Sequence, residues 1–155
     1  LSPFEESGCE VRQLGGALNI MAPPRLNAVR HIRTMPYPGF PTDAQPVIMA
    51  MAAVGRGTSI FVENIFENRY KHAEEMQRMG AKIKVEGKVA IVEGVQHLQG
   101  APVMSYDLRG GAALVVAGLA AQGRTEVSGT QYIRRGYENL PESLAALGAR
   151  IREVD

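Results

Sequence analysis

The chain repeats itself, and this constrains its fold more than any single motif does. Asp43 is followed by an apolar run, then Gly57-Thr58-Ser59, Arg69 and Gly80-Ala81-Lys82-Ile83. Asp107 is followed by a similar run, then Gly123-Arg124-Thr125, Arg135 and Gly148-Ala149-Arg150-Ile151. In both copies the arginine lies 12 residues beyond the glycine that ends the apolar run. An incomplete earlier copy carries Gly8-Cys9-Glu10-Val11 and a second strand-like stretch through Leu18 and Ile20. About two and a half copies of one unit are expected, at approximately 1–34 (partial), 35–100 and 101–155. Self-similarity of this kind is the mark of a supersecondary unit stacked on its own copies.

The residues of each unit specify its elements. Thr42 and Gln45 have the spacing of a capping box, so a helix is predicted to follow. Its apolar positions Ala44, Val47, Ile48, Met51 and Ala52 recur on one helical face, and Pro46 is tolerated in the first turn. Gly57 ends this helix, and the β-branched run Thr58 to Val62 reads as a strand. A second helix is predicted from about Asn68 to Met79, stopping at Gly80. Ile83-Lys84-Val85 alternates, turns at Glu86-Gly87 and returns through Val89 to Val92, and a further strand is expected before Asp107. Ala112 to Ala120 is apolar on every side, which predicts a fully buried helix. Asn139 and Pro141 signal one more helix start, with Leu140, Leu144 and Leu147 on a shared face. The expected fold is therefore an α/β repeat rather than a helical bundle.

Composition narrows the function classes. With 155 residues, 45% hydrophobic and 21% charged, the chain has the makeup of a globular domain. A net charge of +1 gives no general attraction to nucleic acid or a membrane surface. The longest apolar stretch, Ala112 to Ala121, is shorter than the about 20 residues a bilayer requires, and no secretory leader is visible. A single cysteine, Cys9, cannot form an internal disulfide and suits a reducing cytoplasm; it reads as a small core residue at a helix-to-strand junction. The chain begins with Leu1 rather than Met, so a piece of a longer protein is expected. His31, His72 and His97 lack metal-site spacing, and no metal or cofactor is expected. Gly55-Arg56-Gly57 is too short for a phosphate loop, and Met49, Met51, Met76 and Met79 read as core filler.

The stretch Met35-Pro36-Tyr37-Pro38-Gly39-Phe40-Pro41-Thr42-Asp43 resembles the signature loop of UDP-N-acetylglucosamine enolpyruvyltransferases. Phe66-Glu67-Asn68-Arg69-Tyr70, Asp107-Leu108-Arg109 and Arg135-Gly136-Tyr137-Glu138 are similar to further motifs of that family, in the family's order. The resemblance covers nearly all of the chain. It implies the incomplete second (C-terminal) domain of a two-domain enzyme, an inside-out α/β barrel of βαβαββ units with helices packed inward and sheets outside. It also implies a bacterial cytoplasmic setting and the first committed step of peptidoglycan synthesis, on which cell shape and division depend. The implied partners are UDP-N-acetylglucosamine, phosphoenolpyruvate and the missing N-terminal domain of the same chain. The implied reaction moves the enolpyruvyl group to the sugar 3-hydroxyl and releases phosphate.

The resemblance also implies roles. Asp43 matches the aspartate that meets the sugar hydroxyl and is the expected base; from position alone it would as readily cap the helix. Ile65 matches a backbone contact to the nucleotide sugar. Arg109 and Arg135 match arginines facing phosphoenolpyruvate, whose planar carboxylate and phosphate suit guanidinium pairing. Arg69 is open between binding an anion and pairing with Glu67 or Glu63, and Asp107 between orienting an arginine and capping a helix. Two departures stand out. Arg134 occupies a position that is acidic in many members, and Cys9 does not match the family's catalytic cysteine, which sits with a lysine–asparagine pair in the other domain. The isolated chain is accordingly expected to be inactive, with uncovered apolar helix faces. Two alternatives stay open: an enolpyruvylshikimate-phosphate synthase-like enzyme, and a non-catalytic repeat domain binding an anion or a partner.

Overall fold

The structure, a computed structural model, describes residues 1–154; Asp155, the end of the third unit, lies outside the described residues. The first, partial unit is α1 (Ser2–Glu6) and an antiparallel hairpin of β1 (Glu10–Leu14) and β2 (Ala17–Met21), with Cys9 buried at the junction.

The central unit is complete. It comprises β3 (His31–Arg33), a short 3-10 turn Thr42–Ala44, α2 (Gln45–Ala53), β4 (Thr58–Val62), α3 (Lys71–Arg78), β5 (Lys82–Glu86) and β6 (Val89–Glu93). The sheet order is β3-β4-β6-β5, with β3 parallel to β4 and the other pairs antiparallel. A parallel pair needs a crossover, and α2 supplies it. The unit drawn from residue 35 thus takes its first strand, His31–Arg33, from before that boundary.

The third unit opens in the same way: β7 (Pro102–Met104), α4 (Leu108–Ala120) and β8 (Glu126–Ser128), with β7 parallel to β8. Two short helices follow, α5 (Thr130–Ile133) and α6 (Leu140–Ala146). The repeat persists in the backbone. Gly80 and Gly148 both take positive φ, and Ala81 N–H bonds the Met76 carbonyl at 3.1 Å just as Ala149 N–H bonds that of Leu144 at 3.0 Å. This is one helix stop used twice. Beyond it the copies diverge. Lys82–Glu86 is held by β6, whereas residues 149–154 form no strand, because among the described residues none pairs with them.

Helices α2 and α4 lie against each other at the centre, α3 packs on α4, and the sheets lie outside. Met49, Ala53, Phe61, Met76, Met79, Val92, Leu98, Ala113 and Leu114 are almost inaccessible to water, so three of the four methionines read as filler are fully in the core and Met51 is half-buried. Helix α2 is buried on more than its predicted face: Gln45, Pro46, Met49, Ala50 and Ala53 are buried too. It lies between α4 on one side and β4 and β6 on the other, which leaves little of it to water.

Other expectations shift. No capping box forms, because the Thr42 hydroxyl donates to Glu63 Oε2 at 2.9 Å and α2 has no side-chain cap. Helix α3 begins at Lys71, since Asn68 has a left-handed φ of 53° that no helix continues. Glu86 stays in β5, so the hairpin turns at Gly87-Lys88. The far end of α4 is not buried, Leu119 being 44% exposed. Helix α6 buries no residue, and Leu147 of its apolar face is 84% exposed.

His72, in the first turn of α3, is buried against Gly110 of α4, and neither ring nitrogen has a hydrogen-bond partner. Burial lowers its pKa from the ordinary 6.5 to about 4, against the opposing pull of the Asp107 charge; the Arg69 charge adds to the lowering and the Arg69 backbone opposes it. The imidazole is therefore neutral in the fold. Between pH 6.5 and about 4 the unfolded chain binds the extra proton, so this contribution to stability is complete above 6.5 and is lost as pH falls through that window. The gap in unfolding free energy between wild type and His72→Leu is expected to change by roughly 2 kcal/mol from pH 7.5 to pH 5. Urea melts at the two pH values measure it, and a constant gap would mean that His72 does not titrate in this way.

Candidate active site

Three segments from two units build the site. The first is the proline-rich loop after β3. Met35 N–H bonds the Phe40 carbonyl at 3.0 Å and Gly39 N–H that of Pro36 at 2.8 Å, so the loop closes on itself, with a cis Tyr37–Pro38 bond. A Cβ at Gly39 would run into the Met35 side chain, which explains the glycine. The loop delivers Asp43 into the 3-10 turn ahead of α2.

The second segment follows β4. Glu63 is 2% exposed, and its carboxylate collects four donors. Oε1 accepts from Thr34 Oγ1 at 2.8 Å, Ile65 N–H at 2.8 Å and Phe66 N–H at 3.1 Å; Oε2 accepts from Thr42 Oγ1 at 2.9 Å. A set made only of donors suits the ionised carboxylate. The phenol of neighbouring Tyr70 is pushed far above its usual range, by burial first and by the Glu63 charge second. The loop then runs through Asn68 to Arg69. The third segment is the start of α4, where Asp107 Oδ1 accepts Gly110 N–H at 2.7 Å and Arg109 projects from the first turn.

The three segments meet at Asp43. Its Oδ1 bonds Arg69 Nη2 at 2.9 Å and its Oδ2 bonds Arg109 Nη2 at 2.9 Å. Each guanidinium also lies over a ring: Arg69 is 5.0 Å from the Phe66 centroid and Arg109 is 5.5 Å from that of Tyr137. Arg109 Nη1 donates to Tyr137 Oη at 3.1 Å, and this bond, ahead of the one to Asp43, raises the Arg109 pKa above its ordinary value. The side chains of Asp43, Arg69 and Arg109 are 53%, 20% and 30% exposed, so the cluster opens to solvent.

Of the residues expected from sequence, Asp43, Arg69 and Arg109 converge. Arg69 pairs with Asp43 rather than with Glu67 or Glu63, whose acceptors are otherwise engaged in the case of Glu63. Asp107 caps α4 instead of orienting an arginine. Ile65 is 37% exposed with its N–H held by Glu63, which leaves its carbonyl and side chain to meet a ligand. Arg135 is not in the cluster: it is exposed, 5.5 Å from the Tyr132 centroid, while its neighbour Arg134 pairs with Glu153. Sequence names Glu63 only as a possible partner of Arg69, and gives Phe66 and Tyr137 no role of their own. The last two lie inside the quoted motifs, but a lone glutamate at a strand end carries no signal of its own. A concavity of about 1080 Å³ beside α4, α5 and α6 shares only Tyr137 with this cluster. Among the described residues no three His, Cys, Asp or Glu side chains gather to hold a metal, and no helix is long and apolar enough to cross a membrane.

Chemically, the cluster offers a carboxylate that can accept a proton and two cations that can take an anion. Each Asp43 oxygen accepts from one arginine, and the half-exposed carboxylate keeps further acceptor capacity for an incoming hydroxyl. Each guanidinium has further N–H groups beyond the one given to Asp43, which suit an incoming carboxylate or phosphate.

The family described as EPSP synthase (3-phosphoshikimate 1-carboxyvinyltransferase) matches residues 3–144. A UDP-N-acetylglucosamine 1-carboxyvinyltransferase from Desulfofundulus thermocisternus is 54% identical, over 97% of this chain and 62% of the relative. One of the same name from Myxococcus xanthus is 52% identical, over 96% of this chain and 35% of the relative. The chain thus spans between about one third and three fifths of these relatives. Among solved structures, the enolpyruvyl transferase NikO from Streptomyces tendae superposes with a TM-score of 0.86 at 30% identity, over 99% of this chain and 36% of that one. An EPSP synthase from Acinetobacter baumannii, at 19% identity and a TM-score of 0.75, covers 99% of this chain and 39% of its own and shares the fold.

The two aspartates should separate in stability measurements. Asp43→Asn removes a half-exposed, solvent-screened anion and is expected to cost at most about 1 kcal/mol. Asp107→Ala removes a formed helix cap and is expected to cost about 1–2 kcal/mol. Urea melts compare them, and a larger loss at Asp43 would make its ion pairs part of the fold rather than of a site.

Proposed function

Because the chain belongs to the EPSP synthase family, we propose that it is part of an enzyme that transfers the enolpyruvyl group of phosphoenolpyruvate to the 3-hydroxyl of UDP-N-acetylglucosamine. The observation that carries this reading is the Asp43 carboxylate held between Arg69 and Arg109 beside a closed proline-rich loop. The nucleotide sugar, rather than shikimate phosphate, is favoured by the names of relatives that are 47% to 54% identical to this chain. The setting that goes with it is the bacterial cytoplasm and the first committed step of peptidoglycan synthesis, with its consequences for cell shape and division.

In this reading Asp43 takes the proton of the 3-hydroxyl as the sugar oxygen bonds to the central carbon of phosphoenolpyruvate. An acid supplied by the missing N-terminal domain protonates the methylene carbon. The resulting methyl group then gives up a proton, the bond to the phosphate oxygen breaks, and the carbon–carbon double bond returns in the product. Arg109 and Arg69 are positioned to offset the charge that moves toward the carboxylate and the departing phosphate. Arg135 takes part only if the segment after α5 moves toward Asp43 when substrate binds. The isolated 155-residue chain, without the acid, does not turn over.

The test is phosphate release by the full-length enzyme with phosphoenolpyruvate and UDP-N-acetylglucosamine, wild type against Asp43→Ala. A fall of about 10²- to 10⁴-fold in kcat is expected. Turnover only with shikimate phosphate would move the assignment to the sister enzyme, and a folded protein silent with both would favour a binding domain.

A further inference from the structure

The geometry points to Glu63 as a positioning residue for the Asp43–Arg69–Arg109 site, an inference that rests on the function proposed above. Glu63 is too deeply buried to touch substrate, at 2% exposure, yet its carboxylate reaches every segment that holds the site on the β4 side. Oε2 takes the hydroxyl of Thr42, the residue before Asp43. Oε1 takes the N–H of Ile65 and of Phe66, and the Phe66 ring underlies the Arg69 guanidinium. Oε1 also takes Thr34 Oγ1, which in turn accepts Asn64 N–H at 2.9 Å and so ties the loop to the end of β3. One carboxylate thus fixes the spacing between the base and the cation that faces it.

The chemistry of this arrangement is selective. Four donors converge on Glu63, and none of them is a cation. An anion buried in this way is costly unless its hydrogen bonds are complete, so the four donors are locked in place by their shared acceptor. Thr42 is the link to catalysis. Its side chain faces Glu63 and its backbone leads directly into Asp43, so loss of the hydroxyl bond frees the aspartate without removing a ligand-contacting group. Because Thr42 leads into Asp43, the base assigned to the nucleotide sugar, loss of its hydroxyl bond falls on that substrate and on kcat, whereas loss of the Glu63 carboxylate also reaches Arg69 through Phe66.

The experiment uses the full-length enzyme with Thr42→Val, Thr42→Ser, Glu63→Gln and the double variant Thr42→Val/Glu63→Gln. Thr42→Val and Glu63→Gln are each expected to lower kcat/KM for UDP-N-acetylglucosamine on the order of 10- to 100-fold, with the KM for phosphoenolpyruvate within about twofold of wild type in Thr42→Val. Thr42→Ser, which keeps the hydroxyl, should restore most of the loss, and the double variant should lose no more than the worse single one. Wild-type kinetics in a folded Thr42→Val enzyme would overturn the inference. So would losses that follow the fall in Tm and strike both substrates equally. Amide hydrogen exchange at Ile65 and Phe66 reads the same loop without turnover: protection should drop in Glu63→Gln, and unchanged protection there also overturns the inference. A wild-type enzyme that releases no phosphate would instead defeat the function itself, and is distinguished by its exchange data remaining as expected.

Discussion

The side-by-side packing of α2 and α4 is the contact on which the site depends. Consecutive units place these helices in the same sense, each between two parallel strands, so both helices begin at one end of the domain. Buried small residues, Ala50, Ala52 and Ala53 in α2 and Gly110, Gly111, Ala112, Ala113 and Ala117 in α4, allow a close approach. A Cβ at Gly111 would strike Ser105 and Ile133, so the start of α4 has no room for anything larger. The result is that Asp43 and Arg109, 66 positions apart in the chain, share an ion pair.

Packing of the helices brings the unit ends together, but buried polar contacts set their detail. Glu63 draws in Thr42, Thr34 and two backbone N–H groups at once, which staples the loop and leaves α2 without a side-chain cap. A buried carboxylate without a cation is an unfavourable choice for stability alone, since its desolvation is offset only by neutral donors. Its presence beneath the site is understandable where the spacing of the loop matters more than the stability it contributes.

Repeated positions have taken up different work. Asp107 caps α4, whereas its counterpart Asp43 caps nothing and pairs with two arginines. Arg69 meets that aspartate, while Arg135, at the equivalent place after its glycine, lies exposed over Tyr132. Gln45 and Arg109 each stand two residues after these aspartates; one is buried in the core and the other reaches the site. The repeat is a frame, and the site is what breaks its symmetry.

The sequence alone determined the repeat, the order of most strands and helices, the glycine stops and the family motifs, because these are written in local spacing and backbone preference. It was enough to bring Asp43, Arg69 and Arg109 forward together. Only the tertiary structure decided that Thr42 bonds Glu63 instead of capping α2, that Asp107 caps α4, that Arg69 chooses Asp43 over two nearer glutamates, and that Arg135 stands apart. Each of those outcomes is a competition among several chemically suitable partners. Local sequence names the competitors, but distance and burial across the packed units select the winner.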